Sequence, residues 1–256
     1  MTISQRARQA AVLLRMPEMP LARRTMKDLI VDKLAALIAT GVLQVGDDVP
    51  SERDLAAALS VSRETVRGAV QTLAGRGIVE ISQGTRTRVV RDDVDVVGSG
   101  LFGPSAVNRY DIDAVHAARL LVEQALVADA AARIDEATLA RLDASLRAQK
   151  ETMGDPIRFL ICDREFHLAI YRSAGNALLC DFVTDLYTYM LNYRRTAVAH
   201  PGAIARSYED HVEIVAALRA HDAAAVVAAF RRHIERIYAT TRTVLGAMDE
   251  PAMSRV

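Results

Sequence analysis

Residues 49–70 read VPSERDLAAALSVSRETVRGAV. Pro50 and Ser51 open a short helix, with Ser51 as its N-cap and Asp54 at the third position. LSVS at 59–62 makes a tight turn, and Ser62 caps a second helix that runs to about Gly75. Upstream, Met26, Ile30, Leu34, Leu37 and Ile38 form a 3.6-period stripe over residues 25–41, capped by Thr25 with Asp28 and ended by Gly41. Downstream, IVEIS at 78–82 and TRVVR at 87–91 alternate or are β-branched, and QGTR joins them as a hairpin. Three helices followed by a hairpin predict a winged helix-turn-helix over residues 21–91.

The rest of the chain is different. Residues 1–20 end in MPEMP and read as a flexible leader. Residues 92–109 carry three glycines and a proline without helical period, which predicts a linker. From Tyr110 nothing reads as strand. Helices are expected at about 111–133, 136–153, 156–174, 176–199, 204–220 and 222–246, followed by a tail at 247–256. The fold class is therefore mainly α, with the winged helix-turn-helix in front of an all-α helical bundle over 110–246.

Composition narrows the function classes. Net charge is zero over 256 residues, but residues 1–91 hold 14 Lys+Arg against 9 Asp+Glu, and residues 92–256 hold 18 against 23. A basic head and an acidic body follow. The two cysteines, Cys162 and Cys180, fit neither a paired-cysteine zinc pattern nor a disulfide framework, so a reducing, cytoplasmic setting is expected. No segment approaches the ~20 apolar residues of a membrane span, and no signal peptide is evident.

The head has the chemistry of a DNA reader. Arg63 and Arg67 sit four apart near the start of one helix, where guanidinium forks can meet guanine O6 and N7 in the major groove. The helix N-terminus and the Ser62 and Thr65 hydroxyls suit phosphate oxygens. Arg53 opens the preceding helix, and the hairpin tip Gln83-Gly84-Thr85-Arg86 is small and basic enough to lie along a minor groove. The alternative is a helical domain with arginines on a solvated face.

The body has a different constellation. In CDREFHLAI, residues 162–170, Asp163 and His167 stand one turn apart on one helix face. The last two helices meet near His221-Asp222, with Asp222 as N-cap. His211 lies 10 residues before His221 and His233 lies 11 after Asp222. At ~1.5 Å per residue both stand ~15 Å from the turn on antiparallel neighbours and can face each other. Three imidazoles and a carboxylate are a donor set for zinc, nickel, manganese or iron. Ordinary buried histidines, or an acid–base pair of an enzyme, are the alternatives, although no GxSxG, HExxH or phosphate loop is present. His116, His200 and His221 read as ordinary residues.

These motifs carry a resemblance. VPSERDLAAALSVSRETVRGAV with its hairpin resembles the GntR family of bacterial transcription regulators, over residues 25–91. The resemblance implies that Arg53, Ser62, Arg63 and Arg67 meet bases and phosphates, with Gln83 and Gly84 at the wing tip. Two positions depart from the family pattern: Gly68 stands where an acidic residue is usual, at a mid-helix cost of ~1 kcal/mol against Ala, and Ser60 stands where Gly is common. ARLLVEQALVADAAARI, DREFHLAIYRSAGN and DHVEIVAALRAHDAAAVVAAFRRHI resemble the all-helical FCD effector domain of the family's FadR branch. That likeness implies a divalent metal held by Asp163, His167, His211 and His233. It also implies a small carboxylate effector helped by Arg119, with Glu123 as an orienting partner or as a plain ion pair. Asn192, Arg194 and Arg195 can reach such a pocket or else lie on the surface.

The expectation is a one-component transcription regulator, a repressor, that grips a palindromic double-stranded DNA operator as a homodimer. A small organic acid at the metal site would control it, acting through the linker. The rivals are a regulator for which the metal itself is the signal, and a metal-dependent enzyme fused to a DNA-binding head.

Overall fold

The head builds as its caps dictate. In the computed structural model, which describes residues 25–81, 86–92, 110–188 and 191–249, helix α1 spans Met26–Ala39. Thr25 and Asp28 close a reciprocal capping box at its start, and Gly41 takes a φ of 74° just past its end. α2 (Glu52–Leu59) is capped by Ser51 and α3 (Arg63–Gly75) by Ser62. Ser60, between them, adopts a left-handed φ of 53°, which explains why glycine suits this turn.

The hairpin is shorter than expected, with β1 at Val79–Glu80 and β2 at Arg88–Val89 paired antiparallel. The segment before α2, expected as a plain loop, adds a third ribbon: Gly46 and Val49 donate to the Val89 and Thr87 carbonyls, and Val89 donates to Asp47. Val66, Ala69, Val70 and Leu73 of α3 are buried against Ile30, Leu34, Leu37 and Ile38 of α1. Each fully buried Val, Leu or Ile is worth about 1.5–3 kcal/mol.

The body is helical throughout its described residues: α4 (Ile112–Arg133), α5 (Glu136–Glu151), α6 (Pro156–Ser173), α7 (Ala177–Thr188), α8 (Leu191–Val198), α9 (Ala203–Arg219) and α10 (Ala223–Asp249). The run expected as one helix over 176–199 is described as α7 and α8, with residues 189–190 outside the described residues. Asp222 caps α10 as expected, accepting from the Ala225 amide. Leu126, Val127, Phe166, Ile170, Ile214, Leu218, Phe230 and Ile234 fill the centre of the bundle. The expected leader at 1–20, most of the linker, the wing tip with Gln83 and Gly84, and most of the tail lie outside the described residues.

Head and body share an apolar contact. Leu160 and Ile161 of α6 and Tyr187 of α7 belong to the head's buried cluster. Three ion pairs rim it: Lys33 with Glu165, Arg158 with Asp54 at 3.0 Å, and Arg195 with Asp47. α6 thus faces the head on one side and the bundle core on the other. Among the described residues no helix is long and apolar enough to cross a membrane.

Candidate functional site

Asp163 and His167 point from α6 into the bundle, where His211 of α9 and His233 of α10 meet them. All four are completely buried. One donor atom from each lies within 4.8 Å of the others. The Nε2 atoms of His233 and His167 are 3.2 Å apart and those of His211 and His233 are 3.4 Å apart. Asp163 Oδ1 is 3.4 Å from His211 Nε2 and 3.6 Å from His167 Nε2. Atoms that share one ion at about 2.0–2.2 Å, arranged tetrahedrally, stand roughly 3.3–3.6 Å apart. The separations fit.

The outer contacts prepare the donors. Each imidazole turns its Nδ1 to an oxygen: His211 to Gln149 Oε1 at 2.7 Å, His233 to Asp210 Oδ2 at 3.2 Å, and His167 to the Tyr171 hydroxyl at 3.5 Å. The Tyr171 hydroxyl in turn donates to Glu123 Oε2 at 2.6 Å. With Nδ1 protonated, each Nε2 lone pair faces the centre. Asp163 Oδ1 has no hydrogen-bond partner among the described residues. Four electron-pair donors aimed at one point repel one another, and a cation among them turns repulsion into bonding.

Electrostatics agrees. Burial raises the Asp163 carboxyl, but the Arg194 guanidinium, with His167 and His211, outweighs it and holds the group well below the usual carboxylate range. Burial, then His233, pushes His211 well below the usual histidine value; burial, then His167, does the same to His233. The site therefore presents a carboxylate beside two imidazoles, His211 and His233, that resist protonation.

These shifts tie stability to pH. The unfolded chain takes up protons at His211 and His233 near the usual pKa of about 6.5, and the folded chain refuses them. Metal-free protein should lose stability progressively as pH falls below about 6.5, and thermal melts across pH 5–8 check this.

Beside the Asp/His cluster lies a second polar layer. Asp163 Oδ2 accepts from Arg194 Nη2 at 2.8 Å and from the Tyr187 hydroxyl. Arg119 Nε donates to Glu123 Oε1 at 2.6 Å, so the expected ion pair forms, in a buried setting. Yet Arg119 Nη2 and Arg194 Nε and Nη1 are buried with no partner among the described residues. Such orphans cost about 1–3 kcal/mol each. Both guanidinium groups lie over the Tyr187 ring, 5.7 and 4.5 Å from its centroid. Two cavities of about 40 Å³ reach Arg194, one past His116, Arg119 and Tyr238, the other past Asp210, His233 and Arg236. Each has room for a water or two.

Not every expected residue joins. Arg195 turns away from the cluster to Asp47 and the Val42 carbonyl of the head, because residues adjacent on a helix point to different faces. The side chain of Asn192 lies outside the described residues. His221 and His116 do not join the four-residue cluster: His221 Nδ1 meets the Ala131 carbonyl at 2.7 Å, and His116 stacks on Tyr238. Gln149, Asp210, Tyr171 and Tyr187 were not legible as site residues, although Tyr171 follows His167 by one turn and Asp210 precedes His211.

At the head, α3 carries Arg63 exposed and Arg67 half-exposed. Arg67 is held by Glu52, with Nη2 3.0 Å from Oε2, and by Glu64 at 3.4 Å. Ser62 and Thr65 cap the helix together, with Ser62 Oγ accepting from the Thr65 amide at 3.1 Å. The Arg53 side chain is 80% exposed.

Comparison with known proteins agrees with both halves. Residues 27–89 match the gntR family of bacterial regulatory proteins, and residues 114–236 match the FCD domain. A relative in Cronobacter sakazakii, named HTH-type transcriptional repressor NanR, is 30% identical over 86% of this chain and 87% of its own length. The chain belongs to the GntR family. An Edwardsiella tarda protein of the same name is 28% identical to this GntR-family regulator over 88% of each chain. Among solved structures, E. coli McbR/YncC shares the fold, with a TM-score of 0.52 and 19% identity, covering 86% of this chain and 98% of its own. The relatives are transcription regulators, and the GntR-family chain is a regulator rather than an enzyme.

Proposed function

We propose that this GntR-family regulator is a cytoplasmic repressor that binds a palindromic operator as a homodimer and answers to a small organic acid at a metal-loaded site in its FCD domain. Repression is the function named for the relatives. One observation carries the ligand class: three buried guanidinium donors without partners stand next to a buried Asp/His₃ cluster. A carboxylate satisfies such donors, which suit it better than any neutral group.

Asp163, His167, His211 and His233 would hold the divalent ion, which supplies positive charge and Lewis acidity to an acid's oxygen when bound. Arg119, kept in place by Glu123, and Arg194, kept by Asp163, orient the anion. Zinc, nickel, manganese and iron all suit the donors. Full burial favours a resident ion over a transient signal.

Control of DNA binding need not run through the linker alone. The cavities at Arg194 are too small for an organic acid, so its entry requires α8 to shift against α10. The next residue, Arg195, grips Asp47 in the head. An acid that engages the unpartnered Nε and Nη1 of Arg194 and shifts α8 thereby disturbs the head's seat, and it changes operator affinity only if it binds the two arrangements unequally. Arg195→Ala should keep its metal and shrink the effector's influence on operator affinity, as read by anisotropy with and without the acid.

The function itself is tested by screening small carboxylates for thermal stabilisation of metal-loaded protein, then measuring operator binding with each hit. An acid that stabilises the protein and weakens operator binding supports the reading. Operator affinity that follows metal concentration, with no response to any acid, would make the metal the signal.

A further inference from the structure

Gly68 stands in the middle of α3 with ordinary helical backbone, so no turn or positive φ calls for it. Its effect is steric. A Cβ at this position would lie 3.3 Å from Lys27 Cδ and 3.6 Å from Lys27 Cγ. The aliphatic stem of Lys27, from the first turn of α1, is therefore laid across the middle of α3 at a place where α3 has no side chain.

The position on the helix gives this meaning. Val66, Ala69, Val70 and Leu73 mark the buried side of α3. Arg63 and Arg67 lie along one edge of the exposed arc, next to α2, whose Glu52 holds Arg67 and whose Arg53 extends into solvent. Gly68 is about 100° further round, just past the middle of the exposed arc on the side away from α2. Lys27 and Arg53 thus stand on opposite flanks of α3. A helix about 10–12 Å across nearly fills a major groove about 12 Å wide, so each flank meets a different phosphate wall. Glu64, one turn before Gly68, is drawn to Arg67, and Lys27 has no carboxylate partner among the described residues.

We propose that Lys27 is a phosphate-contacting residue, set over the recognition helix by the missing side chain at Gly68 and facing the DNA strand opposite to that met by Arg53. This rests on the head being a DNA binder. A lysine there fixes how deeply and at what angle α3 sits, and it adds affinity without reading bases. An acidic residue at 68 would neutralise it, and a larger one would displace it.

The test is the salt dependence of full-length protein binding to a mixed-sequence 30-base-pair duplex, read by fluorescence anisotropy. Removing one phosphate-neutralising cation lowers the slope of log affinity against log salt by about 0.9 per bound chain. Lys27→Gln, which keeps most of the stem, should show that drop and weaker binding, whereas Lys27→Arg should keep the wild-type slope. Gly68→Gln, which displaces Lys27 without adding charge, should behave like Lys27→Gln, with no further weakening when the two are combined. A Lys27→Gln slope equal to that of wild type, while Arg53→Ala lowers its own, overturns the assignment of Lys27. A wild-type protein with no salt-dependent binding would overturn the DNA-binding reading as well, and so separates the two failures.

Discussion

His211→Ala is expected to lose its divalent ion. The imidazole supplies one of four donors, and even partners outside the coordination shell are worth roughly 10–100-fold in metal affinity, so removing a donor should cost more than about 100-fold. An ion present at 100 times its dissociation constant stabilises the fold by about 2.7 kcal/mol, which the variant forfeits. For a chain of this size that is a fall of roughly 5–11 °C in melting temperature. The variant also gives up the stacking of His211 on Phe166, whose ring centroid is 4.3 Å away. Metal-stripped wild type and metal-stripped variant, compared side by side, separate the packing effect from the metal effect. Elemental analysis reads the ion content and thermal melting the stability. An unchanged metal content would remove His211 from the ligand set.

Arg63→Ala should cost about 1–3 kcal/mol of operator binding, roughly 5- to 150-fold, and relax base preference at its position. Arg63 is exposed and ready, so the substitution removes its base interaction outright. Arg67 differs. It must leave Glu52 and Glu64 to reach a base, and its replacement by Ala leaves those carboxylates near the phosphates. Arg67→Ala should therefore weaken specific and non-specific binding together, where Arg63→Ala mainly erases the difference between them. Competition assays with an operator duplex and a scrambled duplex distinguish the two outcomes. Equal loss of specificity in both variants would contradict this division of roles.

The helices of the head were legible because their signals are local. Thr25, Ser51 and Ser62 each cap the helix they precede, and the apolar stripe of α1 becomes its buried face. The third ribbon at 46–49 was not legible, because it pairs through backbone groups and no side-chain pattern advertises it. In the body, helix period and the turn at His221-Asp222 placed His211 and His233 at one height, and the structure brings their rings to a centroid distance of 4.7 Å. Gln149 arrives from α5 with no motif around it, and its role depends on packing that no sequence interval encodes. Arg195 shows the same limit. Arg194 and Arg195 look equivalent in sequence, yet helix rotation sends one to Asp163 and the other to the head.

The most direct measurement is the elemental content of the full-length protein, purified without added metal and without a metal-binding tag. About one divalent ion per chain is expected, matching the one such cluster among the described residues, Asp163, His167, His211 and His233. No ion, together with no rise in melting temperature on adding zinc, nickel or manganese, would contradict a metal-loaded sensor and leave the buried arginines as the heart of a metal-free site.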